Sequence, residues 1–286
     1  MRYEQPKRNE HATYIDGTFV FQYLANRASL RRSRVQFDSI DEPFSPARFH
    51  FGKINDNEKM FELVKNGNYQ ATAIVNVSPI EWGHFLLVPK LDANLQQRLT
   101  FDSIRIGLEM INLSSDVHFR LMFNSLLAWA SVNHFHYHCF TYPAELILDN
   151  VKLTPFKNDV ELIAEYPLKA LCVCVRPNEA DIESKSNLLS RLVDVFYELD
   201  IAHNVVIVRS SESITRFFIF PRRKADTAIV SKCVDPACVE FSGQFPCKDE
   251  AEWRELTTVG AFELLGSVRL DLELENELFR RLEAAC

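Results

Sequence analysis

Three histidines, His134, His136 and His138, stand at i, i+2 and i+4 in the run Ser131-Val132-Asn133-His134-Phe135-His136-Tyr137-His138-Cys139-Phe140. With 8 histidines in 286 residues, chance alone supplies roughly 0.006 such runs. The intervening Phe135, Tyr137 and Cys139 give the period-two alternation of a β-strand, which predicts a strand over Asn133 to Phe140 with all three imidazoles on one face. A helix would turn residues two apart by about 200° and scatter the rings. Three readings fit such a row: a three-histidine zinc site, a nucleophilic histidine oriented by its two neighbours, or incidental histidines on a half-exposed strand. The residues leading into the strand favour the nucleophile. Asn133, Ser131, Ser125 and Asn124 are neutral donors suited to phosphate oxygens. A zinc site would usually recruit carboxylates behind its ligands, and the nearest acids in the chain are Asp116 and Glu145.

The pattern His-φ-His-φ-His-φ-φ, with φ apolar, is complete from His134 to Phe140 and resembles that of the histidine-triad superfamily of nucleotidyl hydrolases and transferases. Two longer runs resemble the GDP-hexose phosphorylases. One is Phe123-Asn124-Ser125 continuing through Ala128-Trp129-Ala130-Ser131-Val132-Asn133-His134-Phe135-His136. The other is Ile74-Val75-Asn76-Val77-Ser78-Pro79-Ile80-Glu81-Trp82-Gly83-His84-Phe85-Leu86-Leu87-Val88-Pro89. The resemblance is strong from Phe49 to Tyr142 and looser beyond. Plant relatives in that family carry glutamine at the third triad position, so His138 points to the animal branch.

The triad and the resemblance together imply a mechanism. His136 attacks the α-phosphorus of GDP-D-glucose, and a backbone carbonyl or side chain on its other nitrogen holds the reactive tautomer. His134 and His138 orient the reaction and stabilise charge, with Ser131, Asn133 and Asn124 as oxyanion donors. Asn76, on a hairpin expected beside the triad strand, is a candidate near the nucleotide. Glucose 1-phosphate leaves, and inorganic phosphate then attacks the guanylyl-histidine to release GDP. This chemistry requires no metal or cofactor. The resemblance also admits a homodimer. A hydrolase finishing with water to give GMP is the alternative, followed by a zinc enzyme on the same three histidines and by a binder of GDP-hexoses without turnover.

The elements that must position these groups are legible in outline. The composition, 47% hydrophobic with 22 phenylalanines, supports a sizeable core. The net charge of −7 argues against nucleic acid as the main partner, because backbone affinity rests on many Lys and Arg contacts. No run approaches the length of a membrane span and the N-terminus is polar, so neither a spanning helix nor a secretory signal is visible. Seven cysteines without paired Cys-x-x-Cys motifs suit a reducing cytoplasm. The expected fold is α+β: a histidine-triad-like antiparallel sheet with flanking helices, duplicated with a degenerate second half. Its expected parts are an N-terminal extension (1–46), a catalytic half (47–145) and a second half with C-terminal helices (146–286).

In chain order, Thr18 to Leu24 reads as a strand, and the basic run Arg27, Arg31, Arg32 and Arg34 as a solvated segment that could also meet a phosphate. Alternation from Ala47 predicts another strand, with Lys53 a candidate phosphate contact. Gln70 to Val77 and Phe85 to Val88 read as an antiparallel hairpin across turn signals at Pro79 and Gly83, with His84 read as structural. Ile104, Leu108 and Ile111 mark an amphipathic helix over Phe101 to Asn112, and Phe119 to Phe123 a strand. In the second half Leu171 to Val175 is a strand, with Cys172 and Cys174 as small core residues. Leu188 to Leu199 is an apolar helix, and Asn204 to Val208 with Arg216 to Phe220 form a second hairpin. Its end, Phe217 to Arg223, echoes Phe85 to Lys90 and supports the duplication. Arg216, Arg222 and Arg223 could grip a diphosphate bidentately. Asp249 to Leu265 and Leu272 to Ala284 read as helices, the first weakened by Gly260.

Overall fold

The structure, a computed structural model, describes residues 12–16, 19–25, 35–211, 213–226 and 234–286. The basic run Arg27, Arg31, Arg32 and Arg34 lies outside the described residues. In chain order β1 (Ala12–Asp16) pairs antiparallel with β2 (Phe19–Tyr23). A meander of β3 (Lys59–Lys65), β4 (Asn68–Val75) and β5 (Phe85–Pro89) follows. The helix α1 (Phe101–Leu113) leads on to β6 (Phe119–Asn124) and β7 (Tyr137–Thr141). The same succession then repeats: β8 (Leu153–Lys157), β9 (Val160–Ile163), β10 (Leu171–Val175), α2 (Glu179–Glu198), β11 (His203–Ser211) and β12 (Ile214–Pro221). After it come α3 (Cys238–Phe241), β13 (Gln244–Cys247), α4 (Glu250–Glu255), α5 (Thr258–Gly266) and α6 (Leu272–Ala285).

Ten strands form one sheet in the order β3-β4-β5-β7-β6-β11-β12-β10-β9-β8. Read inward from either edge, each half shows the same sequence of strands, so the halves are related by an approximate two-fold axis through the seam where β6 and β11 pair antiparallel. The duplication expected from the sequence is therefore present, but the echo that suggested it was misplaced. By sheet position β12 is the counterpart of β7, and the counterpart of β5 is β10.

The alternation of each strand sorts its side chains onto two faces. One face carries Leu87, Leu121, Phe123, Phe135, Tyr137, Cys139, Val205 and Phe217 into a core closed by α1, α2 and α6. Helix α1 buries Ile104, Leu108 and Ile111, the stripe read from the sequence, and burial is worth about 1.5–3 kcal/mol for each such side chain. Thr100 caps it: its hydroxyl accepts from the Ser103 N–H, and its own N–H donates to Ser103 Oγ. Gly107 permits close approach to the triad strand, since a Cβ there would stand 3.1 Å from the Tyr137 ring. The other face carries Met122, Phe140, Val206 and Phe218 against β2, β13 and the short C-terminal helices. There β13 pairs parallel with β2, forming a separate three-stranded sheet.

Several local expectations are corrected. The stretch from Ala47 is not a strand but a loop with a 3-10 turn over Phe51–Lys53, because Phe51 is drawn into a small core with Ile74, Leu86 and Val132. The helix expected over Asp249 to Leu265 is two helices, since Thr257 caps a new one by accepting from the Gly260 N–H at 3.1 Å. Cys139, Cys172, Cys174, Cys238 and Cys286 are not in disulfides, whereas Cys247 is disulfide-bonded, contrary to the reducing compartment expected from the sequence. No helix among the described residues is long and apolar enough to cross a membrane.

Candidate active site

The triad straddles the start of a strand. Only His138 lies within β7; His134 and His136 sit in the connection, residues 125–136, that leads into it. This corrects the strand expected from Asn133. The alternation nevertheless persists through the loop, because Phe135 and Tyr137 remain in the helix-covered core. The His136 and His138 ring centres are 5.2 Å apart. Phe51 stands against both His134 and His136, with ring centres at 5.5 and 5.1 Å.

The hydrogen-bond partners assign the proton on each ring. Nδ1 of His136 lies 2.9 Å from the His134 carbonyl, which only accepts, so Nδ1 carries the hydrogen and Nε2 the lone pair. Burial pushes the pKa of His136 down to about 4, against the opposing pull of that carbonyl. The ring is therefore neutral near pH 7. His134 is fully buried, and its Nδ1 accepts from the Phe51 N–H at 3.1 Å. Its pKa is also lowered to about 4, first by burial and then by neighbouring His136 and His50. Its contact with the His136 ring is thus made by the backbone carbonyl.

His84, read from the sequence as structural, completes the pattern. The Ile80 N–H donates to its Nδ1 at 3.0 Å, which takes the one lone pair of a neutral imidazole. Nε2 of His84 therefore bears hydrogen and donates to Nδ1 of His138, 3.0 Å away. His138 in turn keeps its hydrogen on Nε2, as a donor. Asn76 accepts from the Ser78 N–H at 3.0 Å, and its amide nitrogen lies 2.9 Å from Nε2 of His84. The hairpin does lie beside the triad strand, with Leu86 of β5 opposite His138.

A pocket opens at His138, lined also by Asn124, Trp129, Ser131, Asp235, Lys248 and the turn into α3. The structure therefore brings Asn124, Ser131 and His138 together. Oδ1 of Asn124 accepts from Asn204 Nδ2 at 2.6 Å and from the Cys238 N–H at 3.2 Å. A backbone N–H can only donate, so this end of the amide is fixed as oxygen and the NH₂ end is left to donate. Leu127 and Trp129 hold positive φ of 59° and 75°, a conformation that costs about 1–3 kcal/mol for a bulky residue and clusters at functional sites.

Other expected contacts are placed elsewhere. Asn133 donates both amide hydrogens to the Glu42 and Pro43 carbonyls, at 2.7 and 3.1 Å, and accepts from the Gln97 N–H at 2.8 Å. It ties loops together and has no hydrogen left for an oxyanion. Arg216 stands on β12, three strands from β7 and so about 14 Å away laterally. Its guanidinium donates to the Asp149 and Val151 carbonyls. Arg222 is buried against the Pro236 and Arg223 carbonyls, Arg223 donates to the Ser267 carbonyl, and Lys53 donates to the Pro46 and Arg48 carbonyls. None of these cations reaches the triad pocket. Among the described residues no cluster of three His, Cys, Asp or Glu is arranged to hold a metal ion. Sequence reasoning missed Gln97 entirely. Its side chain accepts from the His136 N–H at 2.9 Å and donates to the Asn124 carbonyl at 3.0 Å, clamping the loop that carries His136.

The fold recurs in a solved structure. A yeast Ap4A phosphorylase in complex with Ap4A superposes with a TM-score of 0.62 at 13% identity, covering 91% of this chain and 90% of that one. The two chains thus share a fold. More narrowly, the chain belongs to the GDPGP1-like family, whose N-terminal domain model matches residues 1–140 and whose C-terminal domain model matches residues 148–286. GDP-D-glucose phosphorylase 1 of Danio rerio is 32% identical over 259 residues, spanning 84% of this chain and 73% of the relative. The Homo sapiens protein of the same name is 30% identical over 271 residues, spanning 88% and 70%.

Proposed function

We propose that this chain is a GDP-D-glucose phosphorylase, converting GDP-D-glucose and inorganic phosphate to GDP and glucose 1-phosphate through a guanylyl-His136 intermediate. Family membership and the names of the relatives support the substrate. The observation that carries the mechanism is the His136 tautomer: Nδ1–H is held by the His134 carbonyl and Nε2 keeps its lone pair on a neutral ring.

Nε2 attacks the α-phosphorus, and the bond to the bridging oxygen breaks to release glucose 1-phosphate. That leaving group is itself a stable anion, so it needs no dedicated carboxylic acid. As the imidazolium forms, the His134 carbonyl bonded to Nδ1–H stabilises it. Nε2–H of His138, the Asn124 amide and the Ser131 hydroxyl serve the non-bridging oxygens, each removal costing about 10²–10³ in rate where its geometry is right. Asn133, His84 and Gln97 act as positioning residues. Phosphate then displaces His136 and yields GDP. Two displacements at one centre predict ping-pong kinetics.

The same reading takes the enzyme to be cytoplasmic, to work without metal or cofactor and to pair with a second copy. It leaves nucleic acid aside, in keeping with the net charge of −7. Product analysis with GDP-D-glucose, with and without phosphate and with His136→Ala as control, tests the reaction. GDP and glucose 1-phosphate are expected only with phosphate and only from the unmutated chain. GMP formed at equal rates in both mixtures would make the enzyme a hydrolase.

A further inference from the structure

A phosphorylase must favour a phosphate dianion over water at the guanylyl-histidine, although water is present at far higher concentration. The triad offers no fixed positive charge for this. His134 and His136 are neutral at pH 7, and the arginines read as diphosphate ligands are bonded to backbone carbonyls elsewhere. Among the described residues that line the pocket beside His138, one lysine or arginine is present, Lys248.

Lys248 is held as a site residue would be. It directly follows β13, whose parallel pairing with β2 runs from Gln244 opposite Val20 to Cys247 opposite Tyr23. The Leu24 N–H donates to the Cys247 carbonyl at 2.8 Å. The backbone carrying Lys248 is therefore anchored immediately before the residue. Its Nζ lies 3.3 Å from Asp235, and the two side chains are only 13% and 10% exposed. A desolvated ion pair of this kind contributes little net stability compared with apolar residues of the same volume. What it does supply is a cation at the wall of the pocket that also holds His138, paired with a carboxylate that lines the same pocket.

We propose that Lys248 holds the acceptor phosphate and so decides between phosphorolysis and hydrolysis, with Asp235 orienting it; this rests on the nucleotidyl-transfer reading above. A phosphate oxygen attacks the phosphorus of guanylyl-His136, the new P–O bond forms as the P–N bond breaks, and the electron pair returns to Nε2. The product is GDP. Water attacking the same phosphorus gives GMP and gains nothing from a lysine that binds anions. Loss of Lys248 therefore shifts the partition between the two products as well as the rate.

The test compares the full chain with Lys248→Met and Lys248→Arg, using GDP-D-glucose and inorganic phosphate. Intact mass without phosphate reports guanylyl-His136 and, with it, a folded site. For Lys248→Met the KM for phosphate should rise and the GDP to GMP ratio should fall, each by about 10- to 100-fold, the worth of one charge-assisted hydrogen bond. Lys248→Arg should recover much of the phosphate preference. An unchanged KM and product ratio in Lys248→Met would overturn the assignment, as would equal losses of guanylylation and phosphorolysis at an unchanged ratio. Should the methionine variant not fold, Asp235→Asn decides: a higher KM for phosphate with a lower GDP to GMP ratio supports the site, and an unchanged or lower KM sinks it. A parent chain that forms no guanylyl-His136 would instead bring down the proposed function itself.

Discussion

Either side of the β6–β11 seam the molecule carries a version of the same five-strand, one-helix unit, and the two differ most at one connection. In the first half, residues 125–136 between β6 and β7 hold Trp129, Ser131, His134 and His136. In the second, only residues 212–213 separate β11 from β12. The register makes the contrast sharper. One rung of the sheet runs from His138 to Met122, across the seam to Val206, and on to Phe218. Where the first half places an imidazole at a pocket, the second places a phenyl ring fully buried in the core. The strands and helix occur twice and the histidine-bearing connection once. The second half nevertheless reaches into the site, since Asn204 and the Cys238 N–H fix the amide of Asn124.

This contrast can be broken or sharpened by substitution. His136→Ala should lower turnover by about 10⁴-fold or more, as removal of a covalent nucleophile does; steady-state release of glucose 1-phosphate measures it. His138→Phe, which copies the second half onto the first, should cost about 10²–10³ in kcat while leaving the fold intact. Its counterpart Phe218→Ala should destabilise by about 3–5 kcal/mol in denaturant melts, with the kcat of the folded fraction little changed. If Phe218→Ala were as damaging to kcat as His138→Phe, the division between chemistry and packing would be wrong.

Gln97→Ala removes the clamp on the nucleophile's loop and should cost about 10²-fold in kcat/KM without touching substrate. For His84→Gln we expect about ten-fold, the lower range for an orienting partner, appearing in kcat more than in KM. The smallest effect is an absence of change. An imidazole of ordinary pKa 6.5 would lose about three-fold of its neutral form between pH 7 and pH 6. With the pKa of His136 depressed to about 4 by burial, the lone pair is retained above that value and lost only as pH falls through it. The acid limb of kcat/KM should therefore lie near pH 4, and a limb at 6.5 would place the nucleophile in a wetter site.

The sequence was most informative where periodicity and burial agree. The α1 stripe, the β4–β5 hairpin, β6 and β10 all follow from local pattern, because a helix or strand with one buried face leaves its period in the chain. The triad spacing singled out one segment, yet its strand begins later than the alternation suggests, since the Phe51 N–H, the Leu95 carbonyl and the Gln97 side chain bond His134, Phe135 and His136 in a loop. Gln97 left no signal: it is joined to His136 and Asn124 by tertiary hydrogen bonds and shares no spacing with them. His84 stands at the mouth of the β5 hairpin that was itself expected beside the triad, and its contact with His138 is a tertiary one that no local pattern reports. Asn133 and Arg216 show the opposite error. Both have suitable chemistry, but neighbouring carbonyls occupy their donors, and no local pattern reports that.

The hydrogen bonds around the triad also carry a consequence for how the protein reaches its native state. They join residues far apart along the chain: Phe51 to His134 across 83 positions, Asn133 to Glu42 across 91, Asn204 to Asn124 across 80 and Cys238 to Asn124 across 114. Closing such long loops is slow, because their entropy is lost before the contacts repay it. Helices α1 and α2 and the local hairpins can form early. The catalytic loop cannot be held until both halves and the C-terminal segment have met. Catalytic competence should therefore be the last property to return on refolding, lagging behind the recovery of secondary structure.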